Sequence, residues 1–318
     1  MRSTYRAPWW LPGGHLQTIV AALRPPPRPP TTRARWDTPD GDFIDVDFAG
    51  PAEAHHTLVV FHGLEGSADS SYARGLAGAA AAAGWQVALP HFRGCSGEPN
   101  RLGRAYHSGD SEEIDWILRR LVAEVGQLRA VGVSLGGNVL LKWLGEQGAA
   151  AAPGVIRAAA ISAPLDLHAA GAALDRGLNR LLYTRMFVKS MKTSALAKIA
   201  AHALPIDAAR VAAARTLREF DDVYTAPLHG FRDVDDYWTR ASSAPWLAQI
   251  RVPTLVLNAK NDPFLPRAAL LSATRQASGA VLLESPDTGG HVGFLTGPFP
   301  GRHGWLARRV LEFLSQDV

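Results

Sequence analysis

The residues with the clearest capacity for chemistry are Gly132-Val133-Ser134-Leu135-Gly136, followed directly by Gly137. An apolar run over residues 130–133 leads into the serine, and a helix-like stretch over 137–145 leaves it. A serine between strand and helix, with glycine two positions to either side, fits a turn that holds the serine in a strained conformation. The flanking glycines, Gly132 and Gly136, are needed because a side chain there would strike the neighbouring strand and helix. Such a turn lifts the Ser134 hydroxyl above the sheet, at the positive end of the following helix. This is where a nucleophile belongs.

A serine hydroxyl attacks poorly until a base takes its proton. In strand-to-helix turns of this kind the acid and then the histidine follow later in the chain, each after a strand. Asp262 fits the acid, because residues 253–266 read as an apolar strand breaking into a polar loop with two prolines. His291 fits the base, in the glycine-flanked loop Thr288-Gly-Gly-His291 after the strand Val281–Glu284. The interval between them has room for one helix and one strand. Asp287 competes as the acid but stands four residues before the histidine in the same loop, so Asp262 is preferred. The developing oxyanion needs two fixed backbone N–H donors. One is expected from Leu135, and the other from Leu64 in Phe61-His62-Gly63-Leu64-Glu65-Gly66, where Gly63 permits close approach and His62 braces the loop.

Other chemistries find less support. The 11 histidines include no H-x-x-x-H or H-E-x-x-H zinc spacing, and no G-x-x-x-x-G-K-[ST] loop is present. No metal and no cofactor is expected. The acidic positions Glu219, Asp221, Asp222, Asp233, Asp235 and Asp236 lack a calcium-loop spacing and read as solvated or locally hydrogen-bonded carboxylates. Cys95, the lone cysteine, allows no internal disulfide and reads as a packed small residue.

The elements around these residues alternate. Asp37 opens a hairpin through Thr-Pro-Asp-Gly-Asp42, at a sheet edge. Strands at Thr57–Phe61, 86–89, 130–133, 158–161, Thr254–Leu257 and Val281–Glu284 are separated by helices at 72–83, Ser111–Val125 and 137–145, and Trp305–Leu314 closes the chain. Short continuous apolar strands alternating with helices mean an α/β fold: a mostly parallel central sheet flanked by helices. Between Pro164 and Pro245 the strand rhythm stops; 167–204 and 206–220 carry helical spacing. The expected organisation is therefore a Pro-rich N-terminal extension and connector over 1–35, an α/β core over 36–164 and 246–318, and a helical cap over 165–245.

Composition agrees. With 318 residues, 47% of them hydrophobic and 19% charged, the chain is rich enough in apolar residues for a large core. The formal charge of +4 comes from scattered arginines, without the basic stripe of a nucleic-acid protein, although it could favour a weak peripheral contact with anionic lipid. No run of apolar residues is long enough to span a bilayer, and the N-terminus does not read as a signal peptide. A cytoplasmic location is the expectation, with the oligomeric state open.

These residues resemble the YheT-like esterases, the AB-hydrolase type-4 branch of the α/β-hydrolase superfamily. The resemblance runs through Gly14-His-Leu-Gln-Thr18, His62-Gly-Leu-Glu-Gly66, Phe92 to Asn100, Gly132 to Asn138, Arg218 to Asp222, Tyr224 to Gly230, Asn258 to Pro263 and Gly290-His291. It departs at Asp236-Tyr237-Trp238, where two tyrosines are expected. The resemblance implies a Ser134–Asp262–His291 triad in a carboxylic ester hydrolase of lipid metabolism. The implied substrates are short- to medium-chain acyl esters or acylglycerols. The alternatives are an acyltransferase to alcohols on the same triad, or a non-catalytic binding protein on a hydrolase scaffold.

Overall fold

The computed structural model describes residues 3–151 and 153–316; Met1, Arg2, Ala152, Asp317 and Val318, which fall within the expected extension and core, lie outside them. Among the described residues eight strands form one sheet: β1 Thr31–Asp37, β2 Phe43–Ala49, β3 Thr57–Phe61, β4 Gln86–Pro90, β5 Leu128–Val133, β6 Val155–Ile161, β7 Thr254–Leu257 and β8 Val281–Glu284. Their order is β1-β2-β4-β3-β5-β6-β7-β8. The expected hairpin is the antiparallel β1–β2 pair at one edge, and β2 joins β4 antiparallel. From β4 to β8 every pairing is parallel.

Parallel strands in mid-sheet are covered on both faces, so their side chains alternate between two cores. In β3, Val59 and Phe61 enter one core, with Ile114, Leu118 and Leu140, whereas Leu58 and Val60 enter the other, with Leu76, Trp305 and Phe313. The first face is covered by α3 Ser111–Val125 and α4 Leu135–Gln147. The second is covered by α2 Ser71–Ala82, in which Ala73, Leu76, Ala77 and Ala80 are buried at helical spacing, and by the C-terminal helix Trp305–Leu314. Each large side chain buried this way contributes about 1.5–3 kcal/mol. Helix α3 begins where Asp110 caps it by accepting from the Glu113 N–H, and ends at Gly126, whose φ of 76° suits glycine.

One helix was not expected. α1 Gly14–Leu23 precedes the Pro-rich stretch, which runs without regular structure into β1. Between β6 and β7 all regular structure is helical, but far more broken than the apolar spacing implies. α5 Leu167–Leu174 ends before Gly177, whose φ is 52°. α6 Gly177–Asn179 then continues through a π-turn at Arg180–Thr184 into α7 Arg185–His202. Ala203, in the left-handed conformation, stops α7. α8 Ala208–Ala213, α9 Leu217–Phe220, a second π-turn Asp221–Thr225, α10 Ala226–Leu228 and α11 Val234–Ala241 follow. Side chains of Asp207, Thr216 and Asp233 start α8, α9 and α11 by capping. α12 Arg267–Thr274 lies between β7 and β8, and the closing helix is α13.

Candidate active site

The turn after β5 has the strain that its glycines foreshadow. Ser134 adopts φ 53°, ψ −119°, a conformation that costs a non-glycine residue on the order of 1–3 kcal/mol. Its N–H donates to the Ile161 carbonyl at 2.8 Å, and its carbonyl accepts from Asn138 N–H at 3.0 Å. A Cβ at Gly132 would lie 2.4 Å from the Gly136 carbonyl oxygen, and one at Gly136 would lie 2.5 Å from the carbonyl oxygens of Phe61 and His62. Any larger residue at either position would push strand and helix apart. Asn138, fully buried, ties the same turn to its surroundings: its amide donates to the Ser108 and Ala241 carbonyls at 2.8 Å and accepts from Ser243 N–H at 2.9 Å.

The three residues read as nucleophile, base and acid converge. His291 Nε2 lies 3.0 Å from Ser134 Oγ, and Nδ1 lies 2.9 Å from Asp262 Oδ2. The Asp262 side chain is fully shielded from solvent, and Oδ1 accepts from the Phe264 N–H at 2.8 Å. An ionised carboxylate only accepts, so Nδ1 carries the proton and Nε2 is left to accept from the serine hydroxyl. Phe264 stacks on the imidazole with ring centres 4.1 Å apart, limiting its rotation. Asp287, the competing acid, is solvent-exposed and paired with Lys260.

What holds His291 in place comes from the far end of the chain. Gln17 Oε1, on α1, accepts from Gly289 N–H at 2.8 Å and from the Asn261 amide at 3.0 Å. Asn261 in turn accepts from Gly290 N–H at 3.0 Å, and Thr18 Oγ1 accepts from His291 N–H at 2.8 Å. A Cβ at Gly290 would lie 2.6 Å from the Gly14 carbonyl oxygen. Helix α1 is thus interlocked with both the acid loop and the histidine loop. In the sequence, Gly14-His-Leu-Gln-Thr18 carries only a resemblance; its task is visible in these contacts.

The loop after β3 contains a second unanticipated device. Gly63 N–H donates to the Tyr72 hydroxyl at 2.7 Å, and Glu65 N–H donates to the Tyr106 hydroxyl at 2.9 Å. Tyr106 donates back to Glu65 Oε1 at 2.8 Å, and Glu65 itself has a φ of 53°. The amides on both sides of Leu64 are therefore satisfied. The N–H groups of Leu64 and Leu135 make no hydrogen bond to protein among the described residues, and both residues line the cavity that contains Ser134 and His291. Beneath them His62 Nε2 accepts from Phe92 N–H at 3.0 Å, so Nδ1 donates to the Gly63 carbonyl at 2.8 Å. Burial pushes the His62 imidazole down to about 3, which keeps it a neutral brace. Gly63 fits closely here as well: a Cβ would sit 3.1 Å from that of Ser134.

The cavity is walled largely by apolar side chains of the helical segment, among them Leu174, Phe187, Met191, Phe220, Tyr224 and Trp238. Cys95 reaches its edge with a thiol pushed up to about 12 by burial, unsuited to act as a nucleophile. Asp221 also borders it, half-buried and hydrogen-bonded to the Trp238 indole at 2.8 Å and the Thr225 hydroxyl at 2.7 Å; desolvation of the carboxyl raises it to about 6. Trp238, the departure from the expected tyrosine pair, fits because Gly171 lies beneath it: a Cβ there would be 2.4 Å from the ring. No group of three or more His, Cys, Asp or Glu side chains among the described residues is placed to hold a metal ion.

Comparison with known proteins agrees with this architecture. The α/β hydrolase fold family matches residues 56–298. YheT of Escherichia coli K12, which carries an esterase designation, is 41% identical over 95% of this chain and 90% of its own length. Phospholipase ABHD3 of Homo sapiens is 28% identical over 99% of this chain and 79% of its own. Among solved structures, the Pyrococcus furiosus esterase Pf2001 shares the fold with a TM-score of 0.57 and 17% identity, covering 92% of this chain and 98% of that one. With an eight-stranded, mostly parallel sheet and a relative this similar along nearly its whole length, the chain belongs to the α/β-hydrolase family, among the YheT-like hydrolases.

Proposed function

We propose that this chain hydrolyses carboxylic esters through an acyl-enzyme on Ser134, with His291 as general base and acid and Asp262 holding its tautomer. The observation that carries the reading is the hydrogen-bonded line Asp262–His291–Ser134, opening on a cavity beside two unclaimed N–H groups. His291 takes the Ser134 proton as Oγ bonds to the ester carbonyl carbon. The oxyanion is stabilised by the Leu64 and Leu135 N–H groups, and the imidazolium then protonates the departing alkoxide. Water, deprotonated by His291, then adds to the acyl carbon, and as the acyl–Oγ bond breaks the imidazolium returns the proton to Ser134 and the acid leaves.

In this reading residues 165–245 act as a cap on a core formed by 36–164 and 246–318. The apolar side chains that the cap turns toward Ser134 support short- to medium-chain acyl esters or acylglycerols as substrates. An alcohol admitted to the same cavity would resolve the acyl-enzyme by transfer, and the yield of ethyl ester in the presence of ethanol measures that share. Turnover of a graded series of p-nitrophenyl acyl esters tests the proposal. A maximum at intermediate chain length is expected, and Ser134→Ala loses activity by several powers of ten. Near-normal turnover by that variant would refute it.

A further inference from the structure

The continuous helix that runs from α6 through the π-turn into α7 has two faces of opposite purpose. One lines the cavity, with Phe187, Met191 and Lys198. The other points outward and is apolar: Leu178, Leu181, Leu182 and Met186 are 53%, 60%, 39% and 58% exposed. Single exposed apolar side chains are ordinary, but three leucines and a methionine along one helical face form a patch that calls for a covering surface.

Charge identifies that surface. Between Asp175 and Asp207 there are six Lys and Arg residues and no Asp or Glu, a larger excess than the +4 of the whole chain. Four of these cations, Arg176, Arg180, Arg185 and Lys189, are exposed among the leucines and make no ion pair among the described residues. A second copy of the chain packed on this face would bring eight cations together, which disfavours a dimer there. A nucleic acid would engage the cations through its phosphates but leave the leucines and the methionine without an apolar partner. Leucines flanked by unpaired cations match the interface of an anionic bilayer, where acyl chains take the apolar side chains and headgroups take the charges. No helix among the described residues is long and apolar enough to cross a membrane, so contact by this element would be peripheral.

We propose that the outer face of this helix docks the protein on anionic lipid bilayers. The same helix then lies between the lipid surface and the cavity, so an acyl substrate passes from one to the other with little exposure to water. That purpose rests on the ester-hydrolase reading, whereas the docking itself needs no catalysis.

Flotation of the full-length chain with vesicles tests this, using phosphatidylcholine alone and phosphatidylcholine mixed with phosphatidylglycerol. The protein is expected to float with the mixed vesicles only, and less as salt is raised. Arg180→Ala with Arg185→Ala should lower partitioning about thirtyfold, and Leu181→Ser with Leu182→Ser about tenfold. All four positions are exposed, and unchanged hydrolysis of a water-soluble ester by both variants would show that they fold. Ser134→Ala should float like the wild type, so a failure of the ester reading leaves this result intact. Equal binding to both vesicle types, unaltered partitioning of either variant, or a Leu181-dependent dimer without vesicle binding would overturn the proposal.

Discussion

The loops at the ends of the parallel strands and the helical segment between β6 and β7 follow different rules. The strand-end loops are fixed by backbone constraints: positive φ at Ser134 and Glu65, glycines that nothing larger can replace, and hydrogen bonds that claim every amide around Leu64 but its own. The helical segment is held mostly by side-chain packing, in short pieces joined by two π-turns. On the proposed reading, chemistry that needs atoms placed to within a fraction of an ångström is built on the first, while the second shapes the space that a substrate would occupy. Substitutions in the loops should change rate, and substitutions in the helical segment should change preference.

The largest effect is expected at the acid. Asp262→Asn keeps the shape but lets the imidazole adopt the wrong tautomer, and kcat should fall by about 10⁴ with little change in KM. Gln17→Ala frees the Gly289 amide and the Asn261 side chain, and should lower kcat about a hundredfold although residue 17 touches no substrate. Tyr106→Phe removes the acceptor for Glu65 N–H and should reduce kcat about tenfold, with KM steady. Comparable steady-state constants for Tyr106→Phe and wild type would show that the loop is held by other means.

Leu174→Trp, on the other side of the comparison, should narrow the cavity, cutting kcat/KM for longer acyl chains about tenfold while the acetyl ester changes less than about twofold. A uniform loss across the series would instead place the helical segment in the chemistry. A further effect is one of acidity and bears on stability rather than on rate. The folded chain holds the His62 pKa at about 3, below its ordinary 6.5, so in that interval the unfolded chain binds the extra proton. Stability from this group is complete above 6.5 and declines as pH falls, with the slope of one extra proton bound by the unfolded chain. Denaturant titrations between neutral and acidic pH should show that slope reduced in His62→Gln.

The same division governs how far the sequence could be read. The boundaries of β7, β8, α3 and α13 follow from apolar period and caps, and the structure places them at the same residues. Ser134 was legible because its reasons are local. The helical segment was not, since its breaks depend on distant partners: the Thr184 hydroxyl donates to Leu174 at the first π-turn, and Asp221 meets Trp238 at the second. Nor could α1 be assigned its place, because Thr18 meets His291 across 273 residues of chain. Tyr72 and Tyr106 sit in no motif, and only the fold shows that their hydroxyls flank one free amide.

The central claim is that Ser134 is a nucleophile activated by His291, and covalent labelling tests it most directly. After treatment of the wild type with a fluorophosphonate, mass spectrometry of the peptides should find a single adduct on Ser134. His291→Ala should be labelled slower by several powers of ten. An adduct elsewhere, or equal labelling of the wild type and His291→Ala, would contradict the account.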